Sequence, residues 1–93
     1  MTNSIKKYLV FKSEPLFYYK ELDGSKPNTI RKITDKDDYR YELLTYGKPK
    51  KIKIINAENP KESFTREITD VSYWEGFWII SWLHPVKFVE GVD

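Results

Sequence analysis

No cysteine occurs in the chain. That excludes a disulfide scaffold, thiolate metal sites and a cysteine nucleophile, and it fits a reducing compartment. Histidine occurs once, at His84, so a histidine metal cluster or a Ser-His-Asp triad has little material; beside Pro85 it reads as a structural strand end. Long hydrophobic runs are absent too. The longest, Phe77-Trp78-Ile79-Ile80, falls far short of the ~20 residues a membrane span needs. The start, Met1-Thr2-Asn3-Ser4-Ile5-Lys6-Lys7, has no apolar signal core with a small-residue cleavage site, so the expected setting is the cytoplasm. Walker and Rossmann glycine patterns, repeats and low-complexity stretches are missing. Strong charge is missing as well. The net charge is +2 and the pI about 8.7, below the ~9 with clustered Lys and Arg of a domain held to nucleic acid by phosphate contacts alone. Contact with nucleic acid would therefore be local, through a pocket or stripe.

Aromatic residues are plentiful: three Trp, seven Tyr and five Phe among 93 residues. Disordered chains are poor in them, so they argue for a packed core. Tyr and Trp also have a polar end suited to a surface or pocket. The length suits one domain over 1–93, with an ordered core of about 5–85 and a tail at 86–93.

Lys6 to Lys12 reads as a first strand. Ser13 offers a cap hydroxyl for a short helix with Pro15 in its first turn, which Asp23-Gly24 stops. Asn28 to Ile33 reads as a second strand, with Ile30 on one face and Thr29 and Arg31 on the other. Thr34 to Asp37 has the form of a capping box for a second helix. It places Asp35, Asp37 and Asp38 in the first turn, so these acids read as helix-start residues and not as a metal site. Tyr39, Leu43 and Tyr46 form that helix's apolar stripe, and Gly47 stops it. Lys51-Ile52-Lys53-Ile54 alternates as a half-buried strand should, and its lysines read as protection of an edge strand. A turn is expected at Asn59-Pro60-Lys61-Glu62. The apolar phase changes between Ile68 and Val71, which a β-bulge near Thr69-Asp70 reconciles. Glu75-Gly76 turns the chain into a central strand, Phe77 to Leu83. Trp74, Trp78 and Trp82 have helical spacing, but Gly76 and the β-branched and aromatic composition favour a strand. The expected core comprises Ile30, Ile52, Ile54, Ile68, Ile79 and Leu43.

The order of strand, helix, Gly-x-Lys turn into a Thr-Ile-Arg strand, charged helical segment and meander resembles the ASCH domain, a small relative of the PUA fold. The stretch that carries the resemblance is Leu22-Asp23-Gly24-Ser25-Lys26-Pro27-Asn28-Thr29-Ile30-Arg31. The later stretch from Ser63 to Ile80 is similar to small ASCH relatives common in bacteriophages. The resemblance implies an α+β fold, a small and mostly antiparallel PUA-like β-barrel with two short helices, in a bacterial or phage-infected cytoplasm. It further implies a module binding RNA, a nucleotide or a nucleoside, with no cofactor and no catalysis expected.

Read from the residues themselves, Gly24 permits a tight helix exit and Pro27 biases Lys26 toward extended backbone. Thr29 and Arg31 then share a strand face with Lys26 at its mouth, placing two cations and a hydroxyl where they suit a phosphate or a base edge. The competing structural role for Arg31 is a pair with an Asp of the following helix. Lys50 and Lys51, in a stripe with Lys48 and Lys53, are further candidate ligand contacts. Tyr18 or Trp74, if exposed, could stack on a base. Some ASCH proteins are amidohydrolases on acylated cytidine using a Lys, a Thr and a Glu. Lys26 and Thr29 match the first two; Glu67 or Glu75 would have to replace the third. A third alternative is a phage-encoded interaction or inhibitor module. Monomer or loose dimer is the expected state, with no membrane association.

Overall fold

The computed structural model describes residues 8–85. Its elements run β1 (Tyr8–Ser13), α1 (Pro15–Asp23), β2 (Asn28–Arg31), α2 (Tyr39–Tyr46), β3 (Lys51–Asn56), β4 (Asn59–Trp74) and β5 (Phe77–Leu83). Lys6 and Lys7 of the expected first strand, and the expected tail at 86–93, lie outside the described residues.

Local chemistry accounts for most boundaries. Pro15 opens α1, where its missing N–H costs nothing. Ser13, expected as the cap, is instead the buried last residue of β1 and accepts a hydrogen bond from Arg31; Glu14 takes the cap position without a side-chain bond. Gly24 ends α1 with φ 91°, and a Cβ there would lie 2.8 Å from the His84 ring, so both backbone and space demand glycine. Asp38, not Thr34, caps α2 by accepting from the Arg40 N–H. Asp35 and Asp37 belong to the turn before it, where the Asp37 N–H donates to Asp35 Oδ1 at 2.9 Å. The expected stripe on α2 also changes: Leu43 and Leu44 are buried, whereas Tyr39 and Tyr46 are exposed.

The strands form one five-stranded mixed sheet in the order β1-β3-β4-β5-β2, with β1 and β3 parallel and the other pairs antiparallel. β3 therefore lies inside the sheet and not at an edge; Lys51 and Lys53 face away from the core because side chains alternate. The β3–β4 connection is tighter than expected. Asn56 pairs with Asn59 across Ala57-Glu58, and Pro60-Lys61-Glu62 already belongs to β4. The register of β4 against β5 shifts between Ile68 and Asp70, the expected bulge. Glu75 and Gly76 have φ 53° and 86°, the two positive values of a type I′ hairpin turn. Trp74, Trp78 and Trp82 thus lie on strands.

Both helices pack on one face of the sheet. The core joins Leu9, Phe11, Ile52, Ile54, Phe64, Ile80 and Trp82 of the sheet to Tyr18 of α1 and Leu43 and Leu44 of α2. Three of the six expected core residues are in it; Ile68 packs at its margin, Ile79 is half-buried, and Ile30 is 55% exposed. Ile30 and Ile79 are register partners, so one choice of face removes both from the core. The architecture is α+β, but the sheet is not a closed barrel: its edge strands β1 and β2 do not pair with each other.

Candidate functional site

Although β1 and β2 share no ladder, a side chain spans them. Arg31 donates from Nη1 to the Lys12 carbonyl at 2.9 Å, from Nη2 to Ser13 Oγ at 2.7 Å, and from Nε to Thr29 Oγ1 at 2.8 Å. Its guanidinium also lies 4.7 Å from the centroid of the Phe11 ring, which Arg40 approaches at 4.6 Å. Burial draws the guanidinium below its ordinary pKa, and the Glu21 charge acts in the opposite direction. The helical-acid partner considered for Arg31 is taken by another residue: Asp38 pairs with Arg40.

Beside this seam is a cleft of ≈ 470 Å³ lined by Lys12, Ser13, Glu14, Phe17, Glu21, Lys26, Thr29, Ile30 and Arg31. It brings together Lys26, Thr29 and Arg31, the three residues of the β2 motif. Helix α1 forms the opposite wall and supplies Glu21, 1% exposed. Lys26 Nζ stands 3.4 Å from Glu21 Oε2 and donates to the Asn28 carbonyl at 2.9 Å. Glu21 Oε1 is buried without a hydrogen-bond partner. Phe17, half-exposed, presents an aromatic ring at the cleft, with Lys26 Nζ 5.8 Å from its centroid.

Lys50 and Lys51 are elsewhere. With Lys48, Pro49, Glu67 and Ile68 they line a second cleft of ≈ 530 Å³. Lys51 is four residues along β3 from Ile55, the partner of Lys12, about 13 Å at strand rise. Of the candidate stacking residues, Tyr18 is in the core and Trp74 is exposed, both outside the first cleft. Glu67 and Glu75 do not line it either. Sequence reasoning missed Glu21. Its signal was a position three residues after Tyr18 on α1, which places it on the inward side of the helix. Among the described residues no cluster of His, Cys, Asp or Glu could hold a metal ion. Among the described residues, too, no helix is long and apolar enough to cross a membrane.

The hydrogen bonds weigh against a threonine nucleophile in this arrangement. Thr29 is 2% exposed and its hydroxyl accepts from Arg31, while Lys26 directs its donors to Glu21 and Asn28. A nucleophile and its base should instead be within hydrogen-bond reach of each other. The cleft combines spare cationic donors on one wall with a carboxylate acceptor on the other. No protein-family model matches the chain, and no curated protein matches it.

Proposed function

We propose that this domain binds a nucleotide, free or as one unpaired residue of RNA, in the cleft between α1 and β2. The observation that carries the proposal is the buried, unpartnered Glu21 Oε1 in a cleft otherwise rich in cationic donors. A buried carboxylate oxygen left without a partner is costly, and a donor entering the cleft would relieve that cost. The exocyclic amine of cytosine, adenine or guanine is such a donor; uracil has no exocyclic amine and offers only its ring N3–H, flanked by two carbonyl oxygens that a carboxylate repels. Phe17 gives the base a face to stack on, with ~1–3 kcal/mol per stacked base as the usual scale. Lys12 and the remaining donors of Lys26 and Arg31 suit the phosphate.

The resemblance to ASCH and PUA-like domains supports the same ligand class. A barrel-like relationship between β1 and β2 remains part of this proposal, with Arg31 in place of a closing ladder. The amidohydrolase alternative gains a glutamate, Glu21, but lacks the Lys26–Thr29 contact. The inhibitor-module alternative and the cytoplasmic setting rest on resemblance and composition.

The test is calorimetric titration at low salt with CMP, AMP, GMP, UMP and a short single-stranded RNA. The expected order puts the amino-bearing nucleotides above UMP. Glu21→Gln should erase that preference, and Lys26→Ala should weaken all of them. Absence of binding by every nucleotide and by RNA would defeat the proposal, as would affinities that ignore both substitutions.

A further inference from the structure

The free margins of the sheet are treated unequally. On β1, the Val10 N–H donates to the Tyr39 hydroxyl at 3.1 Å, its carbonyl accepts from Arg40 Nη1 at 2.9 Å, and the Lys12 carbonyl accepts from Arg31. On β2, the Asn28 carbonyl accepts from Lys26. The third margin is the far half of β4. Strand β3 accompanies β4 only to the Lys51–Glu67 pair, after which the Ile68 N–H donates to the Lys50 carbonyl at 2.8 Å. From Asp70 to Trp74, β4 pairs with β5 alone.

In a type I′ hairpin the residues flanking the turn, here Trp74 and Phe77, exchange their main-chain bonds. By alternation Ser72 and Asp70 also turn their main chain toward β5, and Val71 and Tyr73 turn theirs outward. Among the described residues no hydrogen bond reaches those outward groups. Thr69, Asp70, Ser72, Tyr73 and Trp74 are all exposed, and the stretch contains no lysine or proline to obstruct pairing. The lysine cleft opens where this margin begins.

We propose that this margin pairs antiparallel with the same margin of a second copy, centred on Val71, to give a loose symmetric dimer. In it each hairpin tip enters the other copy's lysine cleft. The register is self-complementary. Val71 faces its own symmetry mate, Thr69 faces Tyr73, and Ser72 faces Asp70, a hydroxyl–carboxylate combination already present within one chain at 2.7 Å. No like charges are opposed between residues 69 and 73. Glu75 lies four residues past Val71, about 13 Å at strand rise. That carries it beyond the other copy's Ile68 to Lys48, Lys50 and Lys51. The tip brings one acid to a cleft whose three lysines outnumber its own acid, Glu67, and Trp74, 66% exposed, meets Pro49 and Ile68. One strand pair and two tips make an interface at the small end of specific association, so the dimer is weak.

Sedimentation of the whole chain from micromolar to millimolar concentration, with amide hydrogen exchange at both limits, tests the proposal. The mass should rise toward that of a dimer. The Val71 and Tyr73 amides should become protected only at high concentration, whereas those of Ser72 and Trp74 are protected throughout. Glu75→Lys, an exposed change that leaves the monomer folded, should weaken association about tenfold. Adding Lys50→Glu should recover most of that loss, which a merely structural effect of either change would not do. A monomer at every concentration, or a dimer indifferent to Glu75→Lys, overturns the proposal. So does protection of Val71 and Tyr73 that appears only with an added extended peptide or with RNA, because the margin would then serve a different partner.

Discussion

The two ends of the sheet handle exposed polarity in opposite ways. At the α1–β2 end, Glu21, Lys26, Thr29 and Arg31 bond to one another and to main-chain groups, leaving one carboxylate oxygen unanswered in a concave space. Along the β4–β5 arm the side chains are largely exposed, and it is the main chain of Val71 and Tyr73 that lacks partners among the described residues. An unanswered side-chain atom in a cleft suits a small ligand of defined donor pattern. An unanswered strand margin suits another strand, because its spacing is that of a ladder. The two proposals accordingly give the two ends different kinds of partner.

Ile80 joins the two ends, pairing with Thr29 on one side and with Val71 on the other. Ile80→Ala should produce the largest effect, about 2–5 kcal/mol in urea denaturation, through loss of burial plus a cavity. Its neighbour Ile79, half-buried on the opposite face, should cost clearly less. Equal losses at the two positions would contradict the assignment of faces.

Arg31→Ala comes next, with an expected loss of about 2–3 kcal/mol, since it removes charge-assisted bonds and leaves the Thr29 and Ser13 hydroxyls without that donor. Arg31→Lys should rescue little, because an ammonium cannot reproduce a planar fork spanning three acceptors. If Arg31→Ala melted like the parent protein, the seam between β1 and β2 would not depend on this side chain.

A smaller effect is expected from acid. Hydrogen bonds from Arg40 hold the Asp38 carboxyl below its ordinary pKa; bonds from Ser25 do the same for Asp23, and bonds from Asn56 and Tyr19 for Glu62. A depressed folded-state value means that the folded form binds the proton less readily than the unfolded form. The resulting stability is present above the unfolded value of ~3.9 to 4.3 and is lost as pH falls through the folded values. Thermal melts taken downward from pH 5 should show this loss. Asp38→Asn should flatten part of it while costing about 1 kcal/mol or less at neutral pH. A melt curve unchanged by Asp38→Asn across the acid range would exclude that pair as a contributor.

The smallest effect on the single chain belongs to the arm. Trp74→Ala should alter monomer stability within about 0.5 kcal/mol, because the side chain is exposed. It should nevertheless weaken self-association. A large stability loss at this position would mean that the arm is packed against the body and not free to pair.

Some of this was determined by the sequence alone. Pro15 opening α1, Gly24 closing it, the alternation of Lys51-Ile52-Lys53-Ile54, the bulge before Val71 and the Glu75-Gly76 turn are each set by neighbouring residues, since backbone angles and side-chain period are local properties. So was the sharing of one strand face by Thr29 and Arg31. Which face would be buried was not local. Ile30 looked like the inward residue on hydropathy, yet Thr29 and Arg31 turn inward because β1 brings acceptors from 18 and 19 residues away, as the Arg31 bonds to Ser13 and Lys12 show. The same holds for β3, whose lysines suggested an edge until β1 paired alongside it in parallel. It also holds for Glu21, an ordinary helical acid until Lys26 and the β2 wall enclosed it. Strand order, the choice of face and the enclosure of a carboxylate depend on contacts between distant segments, and only the tertiary structure decides them.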